Sequence, residues 1–227
     1  VAFNGEVVLE LAAQFLALAE KQGATVPLMI GNRLMGISLL FLGDLAESRA
    51  HFNRGMALYN PAEHRFTGNR FGQDHRASVL SYRSWTLWLL GYPDAALADT
   101  DQAVTYAREI GQAGTLMYAL LNAVFPRAQC GNYAAANMVL DELVALADDK
   151  GSLFWKADGK CFQGYLLAML GRALDAVQML GSGITAWRST GTTMFAPFLL
   201  SHLASAHAQL GKFDDAWRCI DDAMTAV

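Results

Sequence analysis

Apolar side chains recur along this chain at three- and four-residue steps, the spacing that lines one face of an α-helix. The first run, Glu6 to Gln22, sets Val8, Leu11, Ala12, Phe15, Leu18 and Ala19 on one face, and Gly23 closes it. After it the pattern predicts helices in pairs: Pro27 to Leu42 with Ala46 to Tyr59, Arg76 to Leu90 with Asp94 to Ile110, and Thr115 to Cys130 with Ala134 to Asp148. Leu153 to Leu170 with Leu174 to Trp187, and Met194 to Leu210 with Asp214 to the end, complete the series. No stretch alternates with period two for long enough to predict a strand, so the expected class is all-α.

A turn inside each pair returns at a fixed interval. Gly131 to Ala136, Gly171 to Ala176 and Gly211 to Ala216 begin 40 residues apart, Gly91 fits the same frame, and Gly43 precedes Gly91 by 48. Self-similarity at such a period marks a solenoid, whose units bury their apolar faces by stacking on their neighbours. The predicted plan is one repeat domain over 1–227: a half unit at 4–23, repeats at about 27–60, 74–111, 113–150, 153–190 and 193–227, and a long loop at 59–75 holding the extra residues. Five residues after each turn glycine stand Ser48, Ala96, Ala136, Ala176 and Ala216, all small. Seven before it stand Gly36, Ser84, Val124, Gly164 and Ala204, and twelve after it Gly55, Ala103, Leu143, Gly183 and Ala223. Small side chains there let paired helices approach closely, and a helix-interior glycine, which costs about 1 kcal/mol against alanine, answers a packing need.

Turn glycine, small residues and corner residues (Leu45, Pro93, Tyr133, Phe213) together resemble the tetratricopeptide repeat, in a version with a period near 40. The resemblance implies a right-handed α-α superhelix of about five and a half helix pairs. Stretches such as GYPDAALADTDQA (Gly91 to Ala103), CGNYAAANMVLDELVALADDKG (Cys130 to Gly151) and GKFDDAWRCIDDAMTAV (Gly211 to Val227) resemble the C-terminal repeat region of bacterial signalling proteins. Those proteins carry an AAA-like or STAND-type ATPase, often with an adenylate or guanylate cyclase domain. The resemblance implies a cytoplasmic, regulatory, non-catalytic role, because the ATPase and cyclase residues do not occur in this chain.

Composition narrows the partners. A net charge of −4 and a pI near 5.7 argue against nucleic acid, whose binding draws on lysine and arginine. The most apolar stretch, around Pro27 to Leu42, is interrupted by Asn32 and Arg33, so no membrane span is expected. Cys130, Cys161 and Cys219 are odd in number and far apart, as suits unpaired thiols in a reducing compartment. No secretory leader is visible, and the opening at Val1 reads as a piece of a longer protein.

Candidate chemistry is sparse. Gly31 to Gly36 has the skeleton of a phosphate loop, but Ile37 stands where lysine is needed and no strand precedes it. Asp148 and Asp149, Asp214 and Asp215, and Asp221 and Asp222 are adjacent pairs, which diverge by about 100° on a helix and so read as a solvated face. His202 and His207 miss the four-residue spacing of paired metal ligands; His207 is expected inside its helix pair and His202 exposed. No cofactor is expected.

Two features stand above this background. The loop at 59–75 carries His64, Arg65, Arg70 and His75, which could clamp an acidic group or could be a tolerated insertion. The second feature is the concave side, lined in such repeats by the first helix of each pair. It would present Arg33, Ile37 and Phe41, then Ser81, Trp85 and Trp88, then Tyr118, Leu121 and Phe125, then Cys161, Tyr165 and Met169, and last Phe198, Ser201 and Ser205. Aromatic side chains there suit a peptide groove or a small-molecule pocket, or are core. Pro126 should kink its helix beside Phe125. The leading expectation is a protein- or peptide-binding module whose partner segment comes from the same protein or from a signalling partner; a ligand sensor is the alternative, and helices without neighbours at the two ends would pair copies into a homodimer.

Overall fold

The computed structural model describes residues 4–65, 68, 72–192 and 194–225, and the described residues are helical with no strand among them. The chain divides into two compact units, 4–130 and 131–227. The first holds α1 (Gly5–Gln22), α2 (Thr25–Leu42), α3 (Leu45–Ala57), the single turn α4 (Pro61–His64), α5 (His75–Leu89), α6 (Pro93–Ile110), α7 (Ala113–Asn122) and α8 (Val124–Gln129). The second holds α9 (Tyr133–Asp149), α10 (Leu153–Met169), α11 (Ala173–Arg188), α12 (Ala196–Gln209) and α13 (Phe213–Thr225).

The pairs α2 with α3, α5 with α6, α10 with α11 and α12 with α13 pack on each other across short turns, as the spacing predicts. Each turn glycine is left-handed, at φ 85° for Gly43 and Gly91, 76° for Gly131 and 72° for Gly171 and Gly211. The residue after it reaches back over the helix end: Tyr92 N donates to Leu87 O at 2.9 Å, Arg172 N to Leu167 O at 2.9 Å and Lys212 N to His207 O at 3.0 Å. That closure satisfies carbonyls the helix end would otherwise orphan. A second series that the sequence reading missed ends the other helices: Gly111, Gly151 and Gly191, at φ 73°, 62° and 83°. A left-handed glycine therefore falls every 20 residues from Gly91 to Gly211.

The predicted close approaches are present. A Cβ on Gly36 would lie 2.6 Å from the Phe52 ring, one on Gly164 would lie 2.7 Å from Leu180 Cγ and 2.9 Å from its backbone nitrogen, and one on Gly183 3.1 Å from Cys161 Sγ. Ser48 is buried at the first crossing, where its hydroxyl donates to Gly36 O at 2.7 Å and meets the Thr86 hydroxyl at 3.1 Å. Arg83 on α5 grips Asp99 on α6 with both prongs, at 2.7 and 2.9 Å, and reaches Asn53 on α3 at 2.9 Å.

Three expectations need correction. The helix expected at Thr115 to Cys130 is two helices, α7 and α8. Pro126 has no N–H to offer the Asn122 carbonyl one turn back, and the Trp85 indole donates to that carbonyl instead, at 2.8 Å. The second helix begins at Thr25, two residues ahead of Pro27, because a first-turn proline gives up no intrahelical bond. His202 is packed, not exposed: its ring lies edge-on to Tyr165 and Phe198, with centroids 4.7 and 4.8 Å away. His207 is largely enclosed between α12 and α13, with Nδ1 3.9 Å from the Asp215 carboxylate. Helix α2 is long and apolar enough to cross a membrane, yet it packs on α1, α3 and α5, and Asn32 and Arg33 lie within it.

Candidate functional site

In residues 4–130 the first helices of successive pairs, α2, α5 and α7, lie side by side and share a face. On α2, Arg33, Ile37 and Phe41 follow at four-residue steps, so they project in one row. Phe41 meets Tyr82 at a centroid distance of 5.9 Å, and Tyr82 meets Trp85 at 5.7 Å and Tyr118 at 5.8 Å, each edge-on. Phe125 closes the run 4.8 Å from Trp85 and 5.4 Å from Trp88. Trp85 and Tyr118 are buried, whereas Ile37, Phe41, Trp88 and Phe125 are half-buried and offer ring and aliphatic surface. The Ser78 hydroxyl donates to the Tyr118 hydroxyl at 3.1 Å, and Trp88 hydrogen-bonds Cys130. The outcome is a set of rigid aromatic side chains on a buried aromatic floor.

Arg33 is the exception to satisfied chemistry on this face. It is 7% exposed, and its Nε and Nη1 are sealed from solvent with no hydrogen-bond partner. Burial lowers its pKa, against a partial pull from Tyr118, Asp74 and Tyr82.

The corresponding residues of 131–227 play a different part. Tyr165 is 0% exposed and Cys161 is equally buried, its thiol pushed up to about 12 by burial. Tyr165 belongs to a core cluster with Phe162, Phe198 and His202, while Met169 is exposed. Ser201 and Ser205 are exposed. An open cleft of about 840 Å³ lies between α9 and α11 over α10, with Leu166, Leu167 and Leu170 on its floor and Asn137, Gln163 and Gln178 around it.

The connection at 59–75 does not form the expected basic clamp from its histidines. His64 and His75 are both buried. His64 Nδ1 accepts from Asn60 N at 2.9 Å, and His75 Nε2 donates to Gly55 O at 3.2 Å while its ring stacks on Tyr59. Burial holds His75 neutral, its pKa pushed down to about 3. Arg65 is exposed and donates to Glu109 O at 2.8 Å. Arg70 lies outside the described residues. Arg65 and Arg76 border an open cleft of about 640 Å³ with Asp101, Glu109 and Tyr106, and the Arg76 guanidinium lies 4.7 Å over the Tyr106 ring.

Asp74 is the organising residue that the sequence reading passed over. Its carboxylate caps α5 by accepting from Ala77 N at 3.0 Å and accepts from the Tyr59 hydroxyl at 3.3 Å, and its own N–H donates to Thr115 Oγ1 at 3.0 Å. Tyr59 also shares a hydrogen bond with Tyr106. An aspartate directly before an apolar helical run is the available sequence signal for such a cap.

No group of three metal-ligating side chains occurs among the described residues. Asp158 is a buried carboxyl whose Oδ1 lacks a hydrogen-bond partner, raised to about 7 by burial, with Trp187 giving partial relief. It has no nucleophile beside it that burial leaves reactive, since Cys161 is raised too.

No protein-family model matches the chain, and no curated protein matches it in sequence. Solved structures match in fold. BtubC from P. vanneervenii superposes with a TM-score of 0.66 at 14% identity, over 99% of this chain and 91% of that one. A Rap protein complexed with Competence and Sporulation Factor gives 0.70 at 13% identity, over 98% of this chain and 70% of that one. A tetratricopeptide repeat protein from Parabacteroides merdae ATCC 43184 gives 0.55 at 16% identity, over 98% and 79%. The chain has the fold of these tetratricopeptide-like, all-α repeat proteins.

Proposed function

We propose that this chain is a non-catalytic binding module for a protein or peptide segment, and that the shared face of α2, α5, α7 and α8 is its binding surface. The observation that carries the reading is the row of half-buried Ile37, Phe41, Trp88 and Phe125 on a floor already locked by Trp85, Tyr82 and Tyr118. Large, pre-ordered aromatic side chains lose little entropy on binding and are the usual anchors of an interface. The Rap protein of similar fold is complexed with Competence and Sporulation Factor, which supports a ligand-holding use of such a scaffold. Both clefts described above are open at the surface, which favours docking over an enclosed small molecule.

The finer reading is that the module regulates a larger bacterial signalling ATPase or nucleotide cyclase in the cytoplasm. It rests on the resemblance of the stretches beginning at Gly91, Cys130 and Gly211, and the unpaired Cys130, Cys161 and Cys219 accord with a reducing compartment. The partner segment would then come from the same protein or from a signalling partner. The experiment is a selection of random twelve-residue peptides on the immobilised protein, followed by calorimetry of an enriched peptide. Wild type should bind it, and Trp88→Ser should weaken binding at least tenfold, an anchor being worth 1.4 kcal/mol or more. Unchanged affinity in Trp88→Ser would remove the face from the account.

A further inference from the structure

The open cleft over α10 is formed wholly by residues 131–227, and its carboxamides are held in one orientation. Asn137 on α9 and Gln163 on α10 both line it. Both bond the Asp141 carboxylate, from Asn137 Nδ2 at 2.9 Å and from Gln163 Nε2 at 3.2 Å. A carboxylate accepts and cannot donate, so the two NH2 ends turn to Asp141. Asp141 is not among the residues that line the cleft, and the amide carbonyl oxygens are what Asn137 and Gln163 leave to it. The carboxylate behind each amide polarises it and strengthens its carbonyl as an acceptor.

The opposite wall is of the same character. The Ser182 hydroxyl donates to Met179 O at 3.1 Å, which leaves its oxygen to accept. Arg172 is turned onto Asp175, and its Nε and Nη2 both donate to Oδ2. The Asp175 Oδ1 takes no bond among the described residues. Below these groups Leu166 and Leu167 make an apolar floor that runs out to Leu170, which is 51% exposed. A lysine or arginine side chain joins an aliphatic stem to N–H donors at its tip, the complement of an apolar floor beside oriented acceptors. The sign of the charge agrees, since residues 131–227 hold seven lysines and arginines against ten aspartates and glutamates.

We infer that this cleft is a second recognition site, built from other residues than the aromatic face, and that it takes a lysine or arginine side chain of a peptide segment. The N–H groups of the tip donate to Asn137 Oδ1 and Gln163 Oε1, and the stem lies on Leu166, Leu167 and Leu170.

The test uses the whole chain carrying Trp88→Ser, so that the aromatic face does not compete. Random twelve-residue peptides are selected on it, and an enriched peptide is measured by calorimetry. The selected peptides should share a lysine or arginine next to an apolar residue. Replacing that basic residue by norleucine should weaken binding by about tenfold or more, because hydrogen bonds from a charged donor are the strong ones. Adding Asn137→Leu or Gln163→Met should each weaken binding by about threefold or more. Asn137 is exposed on α9, so its variant keeps the readout if Gln163→Met does not fold. Asp221→Asn with Asp222→Asn, which removes two charges from α13, should leave the affinity unchanged. No enriched peptide, enriched peptides without a shared basic residue, unchanged affinity in either folded cleft variant, or an equal loss in the α13 control would each overturn the assignment. None of these outcomes bears on the aromatic face, whose own test compares wild type with Trp88→Ser.

Discussion

Trp85 shows how far a single side chain's role departs from its repeat position. Its spacing placed it on the groove, and the structure places it beneath the groove, with its indole N–H holding the Asn122 carbonyl that Pro126 frees. Trp85→Phe keeps the ring contact with Phe125 and orphans that carbonyl, so it should lower unfolding stability by about 1–3 kcal/mol in a denaturant titration. Two buried titratable groups give opposite dependences on pH. Asp158 rises from 3.8 to about 7 on folding, so its contribution is full below pH 3.8 and is lost as pH climbs through 7, on the order of 4 kcal/mol in all. His75 falls from 6.5 to about 3, so its contribution is full above pH 6.5 and is lost as pH drops toward 3. Between about pH 4 and 6.5 the two slopes oppose one another. Asp158→Asn should therefore raise stability most above pH 7 and expose a rise with pH between 4 and 6.5; a profile parallel to wild type would contradict the Asp158 assignment, and a variant profile without that rise the His75 assignment. Neither group was legible in the sequence, because burial of a lone polar side chain depends on which helices cross over it.

Helices and their turns were far more legible, since the three- and four-residue spacing and the 40-residue return are both local patterns. Boundaries shifted where a proline sits in a first turn, and the break at Pro126 was legible as a kink, whereas the Trp85 indole that takes up the freed Asn122 carbonyl was not. Glycines divide by what faces them. Gly164 has Leu180 backbone within 2.9 Å of its missing Cβ, whereas Gly181, inside α11, has nothing within 4 Å. Gly164→Ala should thus destabilise by about 1–3 kcal/mol through overpacking that no side-chain rotation relieves. Gly181→Ala should stabilise by roughly 0.5–1 kcal/mol through helix propensity. Thermal melts of the two variants read the difference, and equal shifts would mean that the predicted close approach is not what selects glycine at 164.

At the scale of the whole chain, the repeat frame continues from one compact unit into the next, and it says which faces should be covered. Nine residues after each turn glycine stand Phe52, Thr100, Leu140 and Leu180, all buried, but Ile220 on α13 is 38% exposed and Trp217 beside it 65%. On α1, Val7, Leu11 and Leu18 are likewise exposed. The expected pairing of copies through end helices would use these faces. Light scattering at micromolar concentration should give a mass above the 24.6 kDa of one chain, and Trp217→Glu should return it to that value. A monomer throughout would contradict the pairing. The candidate site was half legible: the register of first-helix positions found Ile37, Trp88, Tyr118 and Phe125, while the same register could not separate them from Tyr165, which is core.

If α2, α5, α7 and α8 present the binding face, amide chemical-shift mapping will place a bound peptide on them. A selected peptide is titrated into isotope-labelled protein and the shifted residues are placed on the structure. The largest shifts are expected around Arg33, Ile37, Trp88 and Phe125; shifts confined to the cleft between α9 and α11 would put the ligand there and rule the aromatic face out.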